Sequence, residues 1–155
     1  DKGLFYLLQA WKKLNYKDAM LLIAVRESAS PVMVDMVKKF GGGSIHLVGW
    51  VENVSDFYNG ISLYCQPSCS EGFGIEVAEA MSHGRLAICS EGAGASDIVA
   101  NKWRFPAADP DAIANKIEEA RKESLSNMMG QLMMTARFYT WSEVREKYID
   151  LWRNL

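Results

Sequence analysis

The sequence predicts an α/β protein with a Rossmann-like, open and mainly parallel sheet carrying helices on both faces. Three observations lead there. Short apolar runs of strand length alternate with segments of helical period. Two glycine-bearing turns, at 72–74 and 92–94, each follow such a run and so lie where open α/β sheets bind ligands, at the carboxyl ends of strands. The composition, 49% hydrophobic and 23% charged over 155 residues, is that of an ordinary globular domain.

The elements follow in order. Residues 3–14, GLFYLLQAWKKL, place Leu4, Leu7, Leu8 and Trp11 on one helical face. AMLLIAV, at 19–25, reads as a buried strand. Ser30 before Pro31 starts a helix, because serine can cap and proline suits the first helical position. Val32, Met33, Met36, Val37 and Phe40 supply its apolar stripe, and glycines 41–43 end it. SIHLV at 44–48 is the next strand, and NVSDFYNG at 53–60 a short helix. ISLYCQ at 61–66 is a strand stopped by Pro67, followed by the first glycine turn and a helix near 74–83. RLAIC at 85–89 is another strand, and GAG at 92–94 opens a short helix, SDIVA. An extended piece around Trp103–Phe105 precedes DPDAIANKIEEARKE, with Asp109 as cap and Pro110 in the first turn. SLSNMMGQLMMTARF, at 124–138, reads as a methionine-rich helix. TWSE at 140–143 has the capping-box form, and the last helix is expected to turn Val144, Tyr148, Leu151 and Trp152 inward.

The totals exclude several classes. A net charge of -2 gives no basic excess for nucleic acid or an anionic membrane surface. No apolar run approaches the roughly 18–20 residues that span a bilayer, and no secretory signal is read. Three cysteines do not make a disulfide framework, so a reducing cytoplasm is the expected compartment. Cys65 and Cys69, with distant Cys89, His46 and His83, do not form a zinc set, and no metal site is expected. His46 reads as a core or edge histidine; His83 suits the end of its helix. The length suggests one domain. Because the chain opens directly on an amphipathic helix, parent residues before Asp1 are expected.

The chemistry concentrates in SEGFGIEVAEAM, residues 70–81. Glu71 opens a Gly-Phe-Gly turn, and Glu79 lies two helical turns further on. Glycines flanking Phe73 permit close backbone approach, and a helix N-terminus favours an anion. The stretch therefore reads either as a phosphate cradle with two carboxylates for hydroxyls, or as a plain strand-to-helix turn with solvated acids. The spacing suits gripping two parts of an elongated ligand better than the close carboxyl pair of a glycoside hydrolase.

At PSCSEGFGIEVAEAMSHGRLAICS the chain resembles the donor-binding, C-terminal half of a GT-B fold retaining glycosyltransferase of family 4, the group 1 enzymes. The resemblance rests on Pro67, Ser68, Glu71, Gly72, Phe73, Gly74, Glu79, Ala80, Met81 and Gly84, in order and spacing. Lys2-Gly3, Gly49-Trp50-Val51, Ala93-Gly94 with Asp97, and Asp109-Pro110 follow the same family pattern along nearly the whole chain.

This resemblance implies a nucleotide-sugar donor as substrate, with no cofactor and no metal. Glu71, the catalytic-site carboxylate, would bond donor-sugar hydroxyls. Lys2, Gly72, Phe73, Gly74 and Ile75 would meet the sugar and diphosphate, and Glu79 the ribose. Trp50 and Val51 would contact the base, mostly through backbone. Residues 1–155 would then be one nucleotide-sugar-binding C-terminal domain that lacks its first strand, with the phosphate-binding arginine ending it, and the N-terminal acceptor domain. The expected reaction is transfer of a hexose-type sugar to a glycan, lipid or lipid-linked acceptor, as in polysaccharide biosynthesis. It would occur in the cytoplasm, with peripheral contact at the inner membrane face through the missing half. Leu86 for proline, Ala93 for glycine, Asp97 for glutamate and a glycine-free 100–105 loop depart from the family pattern. A nucleotide-sugar epimerase of similar fold and a non-catalytic nucleotide-binding or scaffold domain are the alternatives.

Overall fold

The computed structural model describes residues 2–25, 29–123 and 140–154. The methionine-rich segment at 124–138 lies outside the described residues. Short strands alternate with helices: α1 (Leu4–Leu14), β1 (Leu21–Ala24), α2 (Pro31–Gly41), β2 (Ile45–Val48), α3 (Val54–Gly60), β3 (Leu63–Gln66), α4 (Ile75–Ser82), β4 (Leu86–Ser90), β5 (Arg104–Phe105), α5 (Pro110–Arg121) and α6 (Trp141–Arg153). Single 3-10 turns occupy Gly42–Ser44, Gly94–Ile98 and Asn101–Trp103.

Helix starts follow local chemistry. Ser30 Oγ accepts the Met33 N–H at 3.2 Å, and Asn53 Oδ1 accepts that of Asp56 at 3.2 Å. Asp109 Oδ1 accepts two N–H groups, of Asp111 and Ala112, each at 2.9 Å. Thr140 Oγ1 accepts the Glu143 N–H at 3.3 Å. Each bond satisfies a donor that the first helical turn leaves open.

Among the described residues all strand pairing is parallel, as connections through helices require. β1 pairs with β2 from Leu21↔Ile45 to Ala24↔Val48. β3 pairs with β4 from Leu63↔Leu86 to Gln66↔Cys89, and β4 with β5 at Cys89↔Arg104 and Ser90↔Phe105. The expected single sheet is, among the described residues, a two-stranded and a three-stranded sheet. β4, buried at all five positions, is the centre of the larger one.

Helix α1 joins the two. Its Leu7 and Ala10 pack in the core of Val77, Met81, Ile88, Phe105 and Ile113, while Leu8 and Trp11 pack with Val37 and Ile45. One amphipathic helix thus serves both sheets by turning adjacent residues to different cores.

Two expectations about inward faces are corrected. Val32 of α2 is exposed, whereas Val37 is buried and Met36 and Phe40 partly so, because the helix turns only one side to α1 and β2. On α6, Tyr148, Leu151 and Trp152 are exposed, and no residue of the helix is buried. Helical period specifies an apolar face but not a cover for it, and the described body supplies none.

Three glycines, Gly3, Gly92 and Gly94, are required by close approach; a Cβ on Gly92 would stand 2.3 Å from the Cys69 carbonyl oxygen. A Cβ on Gly3, whose φ is 69°, would stand 1.8 Å from the Pro67 carbonyl oxygen, so α1 starts hard against the end of β3. A Cβ on Gly94 would stand 2.2 Å from the Gly72 carbonyl oxygen. Gly94→Ala should therefore destabilise the chain by about 1–3 kcal/mol, since backbone must move. Gly60→Ala, with nothing within 4 Å of the added Cβ, should change stability by less than about 1 kcal/mol. Denaturant unfolding of the two variants measures the contrast; equal effects would contradict the contact.

Candidate functional site

The register of β3 against β4 brings the loops after them side by side. Glu71 and Ala93 form an isolated parallel bridge. The Glu71 N–H donates to the Gly92 carbonyl at 3.1 Å, and the Gly94 N–H to the Glu71 carbonyl at 3.3 Å. The Ala95 N–H donates to the Phe73 carbonyl at 2.6 Å. The two glycine turns thus form one edge. Gly74, at φ 87°, then turns the chain into α4, a left-handed conformation natural for glycine.

Glu71 sits on this edge. Its Oε2 accepts from Lys2 Nζ and, at 3.3 Å, from the buried Ser68 hydroxyl. Its Oε1 has no hydrogen-bond partner among the described residues. The Lys2 hydrogen bond holds the Glu71 carboxyl below its ordinary 4.5, and the same bond raises the Lys2 ammonium. Lys2 reaches Glu71 because Gly3 seats α1 beside Pro67.

Glu79 lies on α4. Its Oε2 accepts from the Tyr58 hydroxyl at 3.1 Å, and the same hydroxyl is 3.2 Å from the Glu76 carbonyl. Glu79 Oε1 likewise has no hydrogen-bond partner among the described residues. His83 caps α4: its Nδ1 donates to the Glu79 carbonyl at 2.9 Å, and its Nε2 lies 3.0 Å from Ser55 Oγ. His46 is exposed on β2, away from the core.

The structure therefore brings together Lys2, Glu71, Gly72, Phe73, Gly74 and Gly94, and sets Glu79 along the helix that starts there. Phe73 and Ile75 are exposed at the mouth of α4. Trp50 is 66% exposed and Val51 partly buried beyond the end of β2, with no hydrogen bond to the carboxylates. A hollow of about 540 Å³ lies elsewhere, lined by Trp11, Tyr16, Met20 and Phe40 at the far end of α1. The carboxylate edge is instead an open surface. Among the described residues no group of three His, Cys, Asp or Glu could hold a metal ion. Nor is any described helix long and apolar enough to cross a membrane.

Tyr58, Tyr64 and Gln66 were not singled out as site residues from the sequence. Tyr64 donates to Gln66 Oε1 at 2.5 Å, and Gln66 Nε2 donates to Ser68 Oγ at 2.9 Å. The available signal was an amide ending the strand Leu63–Gln66, since a buried polar group needs partners.

The fold is that of Rossmann-like domains found in solved glycosyltransferases, several of which superpose on the chain. One from Rickettsia africae ESF-5 matches with a TM-score of 0.87 at 17% identity, over 99% of this chain and 44% of that one. Anabaena HepE, solved in complex with UDP, matches with a TM-score of 0.85 at 14% identity, over 99% and 46%. The C-terminal domain of a group 1 family glycosyl transferase from Francisella tularensis matches with a TM-score of 0.68 at 20% identity, over 95% and 80%. At these identities the likeness is one of fold. The family follows from sequence: the model of glycosyl transferases group 1 matches residues 1–123, and the chain belongs to that family. An uncharacterized glycosyltransferase of Haemophilus influenzae is 33% identical over 86 residues, 54% of this chain and 24% of that protein. The chain thus spans about a quarter of that curated relative.

The ion pair yields a pH prediction. Because the folded Glu71 value is lowered, its contribution is present above pH 4.5 and is lost as pH falls through the lowered value. Lys2→Met should move the Glu71 midpoint up toward 4.5 and leave neutral-pH stability nearly unchanged, since exposed pairs contribute little. Carboxyl-carbon NMR titration reads the midpoint; an unmoved midpoint would reject Lys2 as the cause.

Proposed function

We propose that the chain is the donor-binding half of a retaining, nucleotide-sugar-dependent glycosyltransferase of family 4, which moves a hexose-type sugar to a glycan, lipid or other acceptor. The observation that carries this reading is the matched state of Glu71 and Glu79. Each has Oε2 engaged by the protein and Oε1 without a protein hydrogen bond among the described residues. Two oriented acceptors along one wall suit two sets of hydroxyls on an elongated ligand. The family and the fold support the reading, and HepE has been solved with UDP-glucose.

On this reading Glu71 Oε1 accepts from donor-sugar hydroxyls and Glu79 Oε1 from the ribose. N–H groups of Gly72 to Ile75, at the start of α4, face the diphosphate. Lys2 is 68% exposed and exchanges its carboxylate for phosphate oxygens as a mobile point charge. Trp50 and Val51 lie toward the base. Positive charge and the helix end stabilise the leaving diphosphate without a metal ion. Residues 1–155 form the C-terminal, donor-binding domain. A first strand ahead of α1 and an N-terminal acceptor domain belong to the rest of the parent, which works in the cytoplasm, at the inner membrane face, in polysaccharide synthesis.

Thermal shifts with UDP, GDP, ADP and their sugars should identify a preferred nucleotide. Glu79→Gln should then weaken nucleoside diphosphate binding by at least about tenfold, because charge-assisted bonds of about 1.5–3 kcal/mol are lost. Unchanged affinity would remove Glu79 from the ribose site. Glu71→Ala should penalise the nucleotide-sugar more than the nucleoside diphosphate, and equal losses would make it a structural turn residue. The 155-residue chain alone should not transfer sugar at a useful rate, because positioning by a second domain supplies about 7–11 kcal/mol of such barriers. Robust turnover with donor and acceptor would refute the two-domain reading.

A further inference from the structure

Beneath the turn runs a buried polar chain from Tyr64 through Gln66 and Ser68 to Glu71. Gln66 is 5% exposed and Ser68 is fully buried. The Tyr64 hydroxyl donates to Gln66 Oε1, Gln66 Nε2 donates to Ser68 Oγ, and Ser68 Oγ donates to Glu71 Oε2. The direction is dictated from the Glu71 end. An ionised carboxylate only accepts, so the serine proton must point at it. Ser68 can then only accept from Gln66, which turns the amide nitrogen toward the serine and the amide oxygen toward Tyr64. Reversing the amide would claim the serine proton and withdraw it from Glu71. Burial pushes the Tyr64 phenol up, which keeps it a donor across the neutral range.

The chain also touches the turn and the second carboxylate. Gln66 Cδ lies 3.9 Å from where a Cβ on Gly74 would stand, so the amide sits directly under the start of α4. The Tyr64 ring meets that of Tyr58 edge-on, with centroids 6.0 Å apart, and Tyr58 is the residue that bonds Glu79 Oε2. Two adjacent tyrosines thus begin the two connections that end on the two carboxylates.

We propose that Gln66 is a positioning residue: through Ser68 it holds Oε2 of Glu71 on the protein side and so turns Oε1 toward the ligand edge. Its consequence for donor-sugar binding rests on the reading of Glu71 given above; the coupling of Gln66 to Glu71 does not. Gln66→Leu keeps the approximate volume and removes both amide bonds. Ser68→Ala cuts the chain one link later with a smaller change.

Two measurements test this. The first needs no ligand: unfolding of Gln66→Leu, Glu71→Ala and the double variant, with Ser68→Ala in place of Gln66→Leu as an independent cycle. Contacting networks couple, so the effects on the unfolding constant should depart from additivity by at least about threefold. Additive effects in both cycles would overturn the proposal. The second compares UDP with UDP-glucose, GDP with GDP-mannose, and ADP with ADP-glucose. For the pair that binds, Gln66→Leu should lower sugar-nucleotide affinity about tenfold with little loss for the nucleoside diphosphate, and should have no further effect once Glu71 is alanine. Loss of both ligands alike, or an undiminished effect in the Glu71→Ala background, would make Gln66 merely structural and overturn its role. If Glu71→Ala itself spares the sugar-nucleotide, or no pair binds, the donor reading fails with its consequence for Gln66, while the unfolding cycle still decides the coupling.

Discussion

The constraint on which the site depends is the near-contact of two loop backbones. Glu71 is held on the edge formed by the two glycine turns because its N–H and carbonyl bond to Gly92 and Gly94 across the gap between the β3 and β4 loops. That approach leaves no room for a side chain at Gly94, whose missing Cβ would overlap the Gly72 carbonyl. The parallel register of β3 and β4 sets the approach, and the burial of β4 on both faces sets the register, because a slip would pull every one of its side chains out of the close-packed neighbours it fits. The backbone of Glu71 is thereby fixed by main-chain hydrogen bonds, while Lys2 and Ser68 hold its carboxylate.

Helix α1 adds the second support. Its buried residues divide between two cores, so it holds the small sheet and the large one together where no strand pairing does so among the described residues. The same helix starts against Pro67, which places Lys2 on Glu71. Packing energy over the length of the helix is thus used to set one charge at one oxygen.

The protein spends little polarity in its interior, and most of what it spends lies near the edge. Gln66, Ser68, Ser90 and Ser96 are the buried polar side chains among the described residues. Gln66 and Ser68 lead to Glu71, and the Ser90 hydroxyl accepts the Gly92 N–H at 3.0 Å. Since an unpaired buried polar group costs more than a paired one returns, such a chain must be satisfied as a unit. With Glu71 charged, every donor in it meets an acceptor.

The order of elements, the caps at Ser30, Asp109 and Thr140, and the turn that carries Glu71 were legible in the sequence, because each depends on residues within a few positions of one another. The carboxylate pair was legible too, as a spacing with two readings until the family pattern was set beside it. The exposure of Tyr148, Leu151 and Trp152 was not legible, since an apolar stripe does not say whether a cover exists. Nor was the link from Tyr64 through Gln66 and Ser68, which depends on side-chain directions beneath the turn. Sequence by itself determined the local periods and the caps; which glycines have no room for a side chain was decided by the approach of distant backbone, as at Gly3 and Gly92, whereas Gly72 has nothing within 4 Å of an added Cβ. The tertiary structure alone decided which oxygen of Glu71 is engaged, because that follows from Lys2, 69 positions away in sequence, arriving on the same atom as Ser68. Contacts of that kind are fixed by strand register and helix docking, which no short stretch of sequence contains.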